Sequence, residues 1–584
     1  LDPWKSTLVE LFQSGSINVK KAVLEIAGNQ SMIIDDQLII DTARHSREIK
    51  SEAIAVAGKR KLLPVSDELY QNLSSVDLEI RSASACSLLK MHSHEHEAKI
   101  VLQKLLNSKD VHNIRAGLQF LDKPMGIMED EKLIDFLHHS SHEIREESLR
   151  IATARENPAL IDHIIGNLAY PKSAMQARHA LSSFEEELVL STLSKYLFNE
   201  DSEFPLQMGI VRCLKHYKVE NSSNILQKGL NETYLNILSE VVNSLLSVSR
   251  GYNPSDEFIK DIEMNLDSIA QRVYQLVLFL DRLPDDENCF LIKDHIESDI
   301  KKFIQIMLKL GVLHDPKTPI ETYIQYVANQ DSELMPYVLE LVDTTFSPGN
   351  RKLTMPLIDV DVDEVKVGED LFDELLVEFD DLILFWIHGV HKWKTAIALN
   401  YIIKSNRQDL LKIINWDKIQ NTIFIDQLFS RIEDQSGKIK EIIPLKMFNL
   451  KKETDMYSIL EKTILLKSVD LFKNIPGDVL TRIAQISEET YHSEENLMFS
   501  EGDYGDSMYI VVEGNVRIHK GEHHIVTLGK STVLGEMALL DQEPRSADAT
   551  AEAETTVLKI EQDGFYELMA GNSEIMQQII KMLS

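Results

Sequence analysis

The sequence predicts a mostly α-helical protein in which an α-solenoid is followed by a C-terminal antiparallel β-roll with flanking helices. Two patterns carry this prediction. Before residue 456, apolar residues recur at helical spacing, and similar helical segments return at nearly regular intervals. Beyond residue 456, apolar residues alternate with polar ones between glycine-bearing turns, which is typical of antiparallel strands.

Four segments of similar sequence begin at Ile49, Ile80, Ile114 and Ile144, and their starts lie 31, 34 and 30 residues apart. In each, a basic residue follows the isoleucine, and small or apolar residues continue its face, which lets neighbouring helices approach closely. Second helices lie between them, so each unit is a helix pair. Over residues 40–245 this pattern resembles HEAT-type repeats, which implies a solenoid that presents a surface to protein partners.

Changes in composition divide the chain into four predicted parts. The stretch "TTFSPGNRK" ends the first helical region, and an acidic, helix-poor stretch follows before helices resume. We therefore expect a HEAT-like helical repeat domain at 1–343, an acidic loop or linker at 344–370, a further helical, HEAT-like segment at 371–455, and the β-roll domain at 456–584.

The chain is strongly acidic, with 61 Lys and Arg against 93 Asp and Glu and a formal net charge of −32. Such a surface repels nucleic acid, so we expect no nucleic-acid partner. Three well-separated cysteines, an odd number, indicate reduced thiols in an intracellular protein. The longest apolar run is bounded by Asp380, Asp381 and Lys392 and is too short to span a bilayer. Because the chain opens without Met, we expect an upstream segment to be missing.

Three stretches in the β-roll occur in a characteristic order: "EGDYGDSMY" from Glu501, a hairpin glycine at Gly514, and "LGEMALL" followed by "PRSA" over residues 534–547. Together they resemble the cyclic nucleotide-binding domain family, to which catabolite activator protein and protein kinase A regulatory subunits belong. The resemblance covers residues 460–584. It implies a cyclic nucleotide-binding fold with cAMP or cGMP as ligand.

The residue types in the last stretch suit a sugar-phosphate ring. Gly535 permits a tight turn, Glu536 accepts hydrogen bonds from a ribose hydroxyl, and the planar fork of Arg545 pairs with phosphate oxygens. The resemblance implies that Ala538 and Ser546 donate backbone N–H groups to the phosphate. It also implies that the small side chain of Ala547 keeps the pocket wall close to the ligand. The predicted ligand-binding residues are Gly535, Glu536, Ala538, Arg545, Ser546 and Ala547.

Two questions about this site stay open at the level of sequence. The first is whether the site binds a ligand at all, since a degenerate domain keeps its fold without one. Asp548 bears on this question, because its charge either weakens a cyclic phosphate or faces solvent harmlessly. The second is base preference, because a hydroxyl after the arginine, here Ser546, occurs in relatives that prefer adenine and in relatives that prefer guanine.

No other pattern in the chain predicts chemistry. The histidines of "MHSHEHE" (His92, His94, His96) and "FLHHSSHE" (His138, His139, His142) are expected in polar turns, so we predict no metal and no cofactor. No phosphate-binding Gly-Lys-Ser/Thr loop, nucleophile elbow or zinc-peptidase helix occurs, and we expect no enzyme.

These observations favour a regulatory region that couples cyclic nucleotide binding to a helical-repeat scaffold. The order of segments also resembles the cytoplasmic part of bacterial proteins in which a major-facilitator-like membrane domain, akin to ATP/ADP carriers, precedes HEAT repeats and a cyclic nucleotide-binding domain. That resemblance implies a location on the cytoplasmic side, tethered by a missing N-terminal membrane domain, and a protein partner on the solenoid or in that domain. The alternative is a protein-interaction scaffold with a degenerate, ligand-free domain.

Overall fold

A computed structural model describes most of the chain. The described residues are 3–29, 34–121, 127–199, 202–231, 234–249, 255–313, 315, 317–329, 333–372, 378–389, 391–419, 422–430, 442–444, 447, 456–537 and 544–571. They are mostly helical and end in an antiparallel β domain, which confirms the predicted fold class. The chain forms two compact units, Leu1–Asn253 and Pro254–Ser584, which are described separately below.

In the first unit, the secondary-structure elements within the described residues are all helices. Its helices are α1 (Pro3–Ser14), α2 (Ile17–Asn29), α3 (Asp36–His45), α4 (Lys50–Lys59), α5 (Ser66–Asn72), α6 (Leu78–Met91), α7 (Glu95–Leu106), α8 (Val111–Gln119), α9 (Asp130–Leu137), α10 (His142–Arg155), α11 (Ile161–Gly166), α12 (Ala174–Leu181), α13 (Glu186–Leu197), α14 (Phe204–Leu214), α15 (Val219–Lys228) and α16 (Leu235–Ser249).

At two of the four repeated isoleucines, Ile80 and Ile144, the basic residue that follows has a structural reason. Arg81 donates from Nε to the carbonyl of Ser75 at 2.8 Å, and Arg145 donates from Nη1 to the carbonyl of His139 at 2.7 Å. Each arginine thus reaches a carbonyl six residues earlier, in the segment that precedes its own helix. A partly buried carbonyl gains from a donor, so each of these two arginines stabilises the entry to its own helix.

Hydrogen bonds that span about one interval of the sequence pattern join neighbouring helices. Ser87 Oγ on α6 donates to the carbonyl of Ile54 on α4 at 2.8 Å, and Ser244 Oγ on α16 donates to the carbonyl of Val211 on α14 at 3.3 Å. Gly58 on α4 also allows close approach, because a Cβ there would lie 2.6 Å from Cβ of Ser87. The small residues therefore permit direct helix contact, while the assignment to HEAT repeats stays a prediction.

The second unit begins with helices and ends with the β domain. Its helices are α17 (Asp256–Asp281), α18 (Phe290–Gly311), α19 (Ile320–Asn329), α20 (Met335–Thr345), α21 (Pro348–Thr354), α22 (Glu364–Phe372), α23 (Phe379–His388), α24 (Lys392–Lys404), α25 (Gln408–Ile413), α26 (Ile423–Ser430), α27 (Ile459–Lys467), α28 (Gly477–Ile486) and α29 (Gln562–Gly571).

We expected the stretch 344–370 to be an acidic, helix-poor loop or linker, and the structure corrects this expectation. It contains α21 and most of α22, and α22 packs against α17. Ser347 caps α21 by accepting from the backbone N–H of Asn350, and Pro348 occupies the first turn, both favourable at a helix start. Gly368 on α22 faces the buried ring of Tyr274. Helix capping and tertiary packing therefore outweigh the acidic composition.

The compact units divide between Asn253 and Pro254, earlier in the chain than the domain boundary expected at residue 343. The expected domain limits at 343, 370 and 455 stay predictions. The turn sequence at 433–438 lies outside the described residues.

The β domain consists of two four-stranded antiparallel sheets. Its strands are β1 (Glu488–His492), β2 (Leu497–Phe499), β3 (Ser507–Glu513), β4 (Val516–Lys520), β5 (His523–Leu528), β6 (Val533–Leu534), β7 (Asp548–Ala551) and β8 (Thr555–Glu561). The sheet orders are β1-β8-β3-β6 and β2-β7-β4-β5. Helices α27 and α28 precede the sheets and α29 follows them, which confirms the predicted β-roll with flanking helices.

Gly514 makes the tight turn between β3 and β4. Its φ of +84° lies in the left-handed region, and an added Cβ would overlap the side chain of Thr555. Among the described residues, no helix has both the length and the apolar character needed to cross a bilayer.

Candidate functional site

The candidate site lies where the chain leaves β6. This short strand pairs with β3 and ends at Leu534, and the next residue, Gly535, turns the chain with a φ of +75°. The conformational freedom predicted for Gly535 is therefore used. The turn also places the Gly535 carbonyl within reach of the chain that returns towards β7.

Arg545 lies on that returning segment and is only 8% exposed. Its Nη1 donates to the carbonyl of Gly535 at 3.1 Å and its Nη2 donates to the carbonyl of Ser507 at 2.6 Å. The buried Nε has no hydrogen-bond partner among the described residues, and no carboxylate there forms an ion pair with the guanidinium. A buried cation is thus held by two neutral carbonyls rather than by an opposite charge.

Backbone hydrogen bonds fix the position of Arg545. Its N–H donates to the carbonyl of Asp503, and its carbonyl accepts from the N–H of Gly502, both at 2.8 Å. The loop that contains the "EGDYGDSMY" motif therefore pairs with the arginine segment. This pairing gives the order of motifs in the sequence a physical meaning, because the first motif positions the cation of the last.

Two aromatic rings lie beside the guanidinium. The Arg545 Cζ lies 4.2 Å from the ring centroid of Phe499 on β2 and 6.0 Å from that of Tyr509 on β3. Burial lowers the pKa of the Arg545 guanidinium, and the acidic neighbours Asp506 and Glu536 act in the opposite direction. Since arginine stays charged in proteins, the site keeps its positive charge.

Two glycines make room for the cation. An added Cβ at Gly505 would overlap Nε of Arg545, and one at Gly535 would overlap Nη1. The role of Gly505, like the contacts of Phe499 and Ser507, was missed by the sequence analysis. These contacts join residues about forty positions apart, so no local pattern predicts them. The glycine-rich loop was the one feature of the sequence that pointed to close packing there.

The remaining predicted site residues surround this cation with different exposures. Glu536 is partly buried next to Gly535, Ser546 is exposed, and Ala547 is buried, as a close wall requires. Ala538 lies outside the described residues. The structure thus brings Gly535 and Arg545 into direct contact and places Glu536 near enough to attract the guanidinium.

A family model described as "Cyclic nucleotide-binding domain" matches residues 489–572. This match spans the β-roll and the arginine segment together. Residues 489–572 form a cyclic nucleotide-binding domain.

Individual relatives match the same part of the chain. Human cGMP-dependent protein kinase 2 is 27% identical over 161 residues, which cover 25% of this chain and 21% of the kinase. A CRP-like cAMP-activated global transcriptional regulator from Mycobacterium tuberculosis is 24% identical over 125 residues, which cover 20% of this chain and 56% of the regulator.

Solved structures match there as well. A cyclic nucleotide-binding-like protein from Brucella abortus is 30% identical, with 19% of this chain and 97% of that chain covered and a TM-score of 0.18. Of the two relatives compared by sequence, the chain spans about a fifth of the length of the kinase and about half of that of the bacterial regulator.

Asp548, at the start of β7, has a structural role in the cyclic nucleotide-binding domain. Its Oδ1 accepts from the N–H of Glu501 at 2.8 Å and its Oδ2 accepts from the N–H of Gly521 at 3.2 Å. These backbone donors lower the pKa of the Asp548 carboxyl, which therefore stays ionised. The structure gives this charge a role that differs from both expected alternatives, because the carboxylate joins two loops through backbone hydrogen bonds.

The histidines singled out in the sequence make local contacts. His92 Nδ1 lies 3.0 Å from Glu95 Oε1, His94 stacks on Tyr70, and His138 Nε2 lies 2.9 Å from His163 Nδ1. In the part of the chain that the structure describes, no group of three His, Cys, Asp or Glu side chains is placed to hold a metal ion.

Proposed function

We propose that this chain is a cyclic nucleotide sensor whose C-terminal domain binds cAMP or cGMP and regulates the helical region that precedes it. The observation that supports this most directly is Arg545, a buried guanidinium that no carboxylate among the described residues pairs with. A buried charge is costly unless an opposite charge compensates it, and a cyclic phosphate supplies one negative charge of suitable shape. The named activities of the kinase and the bacterial regulator, cGMP-dependent and cAMP-activated, support a purine cyclic nucleotide.

The proposed recognition assigns one task to each side chain. Arg545 pairs with the exocyclic phosphate oxygens, which replace the carbonyls of Gly535 and Ser507 or share the guanidinium with them. Glu536 accepts a hydrogen bond from the ribose 2′-hydroxyl. A lost charge-assisted hydrogen bond costs about 1.5 to 3 kcal/mol, which corresponds to about a ten- to hundredfold loss in affinity.

Calorimetric titration of the chain with cAMP, cGMP and AMP tests this proposal. We expect one cyclic nucleotide to bind, AMP to bind more weakly, and Arg545→Ala and Glu536→Gln each to lose at least about tenfold in affinity. The matched control is Arg517→Ala. Arg517 on β4 is more exposed than Arg545, and its ion pair with Glu495, at 3.1 Å, lies away from Arg545 in the sequence. Equal binding by wild-type protein and Arg545→Ala would contradict the assigned role of the arginine.

Base preference is the part of the function that the residues leave open. Ser546, the hydroxyl next to the arginine, is exposed and so accessible to a base. The same titration decides between cAMP and cGMP. We propose that the Ser546 hydroxyl contacts the base, so that Ser546→Ala brings the cAMP and cGMP affinities closer together.

The alternative function is a protein-interaction scaffold with a ligand-free domain. Its support is that two carbonyls already accept hydrogen bonds from Arg545, so the pocket is partly satisfied without a ligand. A scaffold's melting temperature does not change with cyclic nucleotide, whereas that of a sensor rises. Absence of any shift in a sample freed of bound nucleotide would favour the scaffold.

We further propose that the chain is regulatory rather than an enzyme, binds no nucleic acid, and acts on the cytoplasmic side of a membrane. The absence of catalytic motifs and the acidic sequence support the first two statements, and the resemblance to transporter-linked proteins supports the third. Cell fractionation of the natural gene product tests the location. Recovery in the soluble fraction alone would contradict tethering by a membrane domain.

A further inference from the structure

Within the second unit, the first two helices of the C-terminal domain pack against helices that precede it in sequence. We call this contact the junction: α27 and α28 on one side, and α18, α24 and α26 on the other. These helices all belong to the unit Pro254–Ser584. All five helices of the junction lie outside the matched residues 489–572.

An ion pair with little solvent exposure connects α27 with α18. Lys467 Nζ lies 2.5 Å from Asp294 Oδ1, and the two side chains are 6% and 17% exposed. Because water screens such a pair only slightly, removal of one partner leaves a charge without compensation. The pair is therefore much more consequential than the exposed pair of Lys473 and Asp470 nearby.

The start of α27 is bound on two sides. Gln427 on α26 accepts from the backbone N–H of Ile459 at 2.8 Å, in a buried position. Glu489 on β1 accepts from the backbone N–H of Tyr457 at 2.9 Å and lies 3.4 Å from Lys462 Nζ. Helix α27 thus links the β-roll to the preceding helices through direct hydrogen bonds.

The hydrophobic cores on the two sides of the junction interlock. Leu460 on α27 belongs to the core formed around α23–α26, whereas Phe424 on α26 packs against the core of the C-terminal domain. Gly477, the first residue of α28, lies so close to α24 that an added Cβ would be 3.1 Å from the ring of Trp393. A displacement of α27 or α28 therefore changes the packing of α24 and α26.

Polar atoms without hydrogen-bond partners lie at the same contact. Within the described residues, neither Nε1 of the buried Trp393 nor the buried Oδ1 of Asp478 has one. Unsatisfied buried polar atoms cost free energy, so this arrangement contains unfavourable terms. A second packing that gave these atoms partners would recover part of that cost, so this contact is a suitable place for a change of packing.

A chain of contacts connects the junction to the candidate ligand site. Arg545 donates to the carbonyl of Ser507, and next to it the carbonyl of Asp506 accepts from the N–H of Gln562 at 2.7 Å. Gln562 begins α29, which packs against α28 near Gly564 and Ile486. A ligand that takes hydrogen bonds from Arg545 acts at one end of this chain, and Trp393 and Asp294 lie at the other.

We propose that α18 and α24 are the intramolecular receivers of the cyclic nucleotide signal, and that the junction, with its Lys467–Asp294 ion pair, changes its packing when ligand binds. This inference rests on the proposed sensor function. It requires that ligand affinity differ between the two packings of the junction. By linkage, the junction then affects ligand binding as much as the ligand affects the junction.

The test uses the full chain and two measurements. Calorimetry gives the cAMP and cGMP affinities of wild-type protein, Lys467→Met and Asp294→Asn, with Lys473→Met as the matched control from the exposed pair. We expect the two junction variants to change affinity by at least about fivefold, a typical lower limit for allosteric coupling, and the control to match the wild type. Hydrogen exchange of wild-type protein follows the amides of α18 and α24 with and without nucleotide.

The two measurements must agree in sign. If the junction variants bind more tightly, nucleotide must speed exchange in α18 of the wild type, and if they bind more weakly, nucleotide must slow it. Wild-type binding with unchanged variant affinities and unchanged exchange would overturn this inference and leave the sensor function intact. Absence of wild-type binding would overturn both. If a variant does not fold, the exchange measurement on wild-type protein still tests the inference, because unchanged exchange in α18 and α24 on nucleotide binding would contradict it.

Discussion

At the scale of single residues, the candidate site is organised around Arg545. Its guanidinium is enclosed by the carbonyls of Gly535 and Ser507, the ring of Phe499 and the backbone of Gly505. Such enclosure fixes the fork before any ligand arrives. A cation that is already oriented loses little side-chain entropy on binding, which favours affinity and selectivity for a phosphate of matching geometry.

Gly505→Ala tests this enclosure. Because the new Cβ overlaps Nε, the guanidinium must move, and we expect cyclic nucleotide affinity to fall by about tenfold, equivalent to about 1.4 kcal/mol. The matched control is Gly529→Ala, where the Cβ meets only the end of the Asn515 side chain, at 3.2 Å. The two variants are compared by calorimetric titration. Similar affinities for both would show that Gly505 is not needed to position Arg545.

Among the elements, the helices that pack against α27 and α28 contain two histidines, the buried His295 on α18 and the partly buried His391 before α24. Burial lowers the pKa of His295 to about 4 and also lowers that of His391. The charged groups that face them are Asp299, Lys394 and Asp478. Both histidines are therefore neutral in the folded protein at neutral pH, and their protonation opposes folding.

The free energy of unfolding should consequently depend on pH. A histidine whose folded pKa is lowered contributes stability that is present above the unfolded pKa of 6.5 and is lost as pH falls towards the folded value of about 4. Within that window each such group changes the stability by up to about 1.4 kcal/mol per pH unit. Urea unfolding followed by tryptophan fluorescence measures this dependence, because Trp386 and Trp393 belong to the hydrophobic core that includes α18 and α24, and Trp416 packs against it.

His295→Gln should weaken this pH dependence, while His523→Gln, at an exposed position on β5, should leave it unchanged. A profile of the same slope in wild-type protein and His295→Gln would exclude His295 as its source.

At the scale of the whole molecule, two compact units predict two unfolding steps. Each unit has its own buried residues, and the candidate ligand site lies entirely in the second. A ligand at about a hundred times its dissociation constant adds about 2.7 kcal/mol to the stability of the state that binds it. Calorimetric melting should therefore show two transitions, of which cyclic nucleotide raises only one.

Arg545→Ala should abolish that rise and leave the other transition in place. A single transition, or an equal shift of both, would mean that the two units unfold together.

Local patterns in the sequence account for several elements of the fold and for part of the candidate site. The strands β3, β4, β5 and β8 were predictable because period-two alternation and glycine turns are local properties. The site residues Gly535 and Arg545 were predictable for a similar reason, since a short motif contains both of them. The resemblance to the cyclic nucleotide-binding family then supplied the expected ligand.

The remaining features depend on contacts between segments that are distant in the sequence. The acidic stretch 344–370 forms helices because α22 packs on α17, a contact between residues about ninety positions apart. The enclosure of Arg545 by Ser507 and Gly505, and the Lys467–Asp294 pair, likewise join segments far apart in sequence. Local patterns contain turns and periodicities, whereas burial and unpaired charge arise only when distant segments pack together.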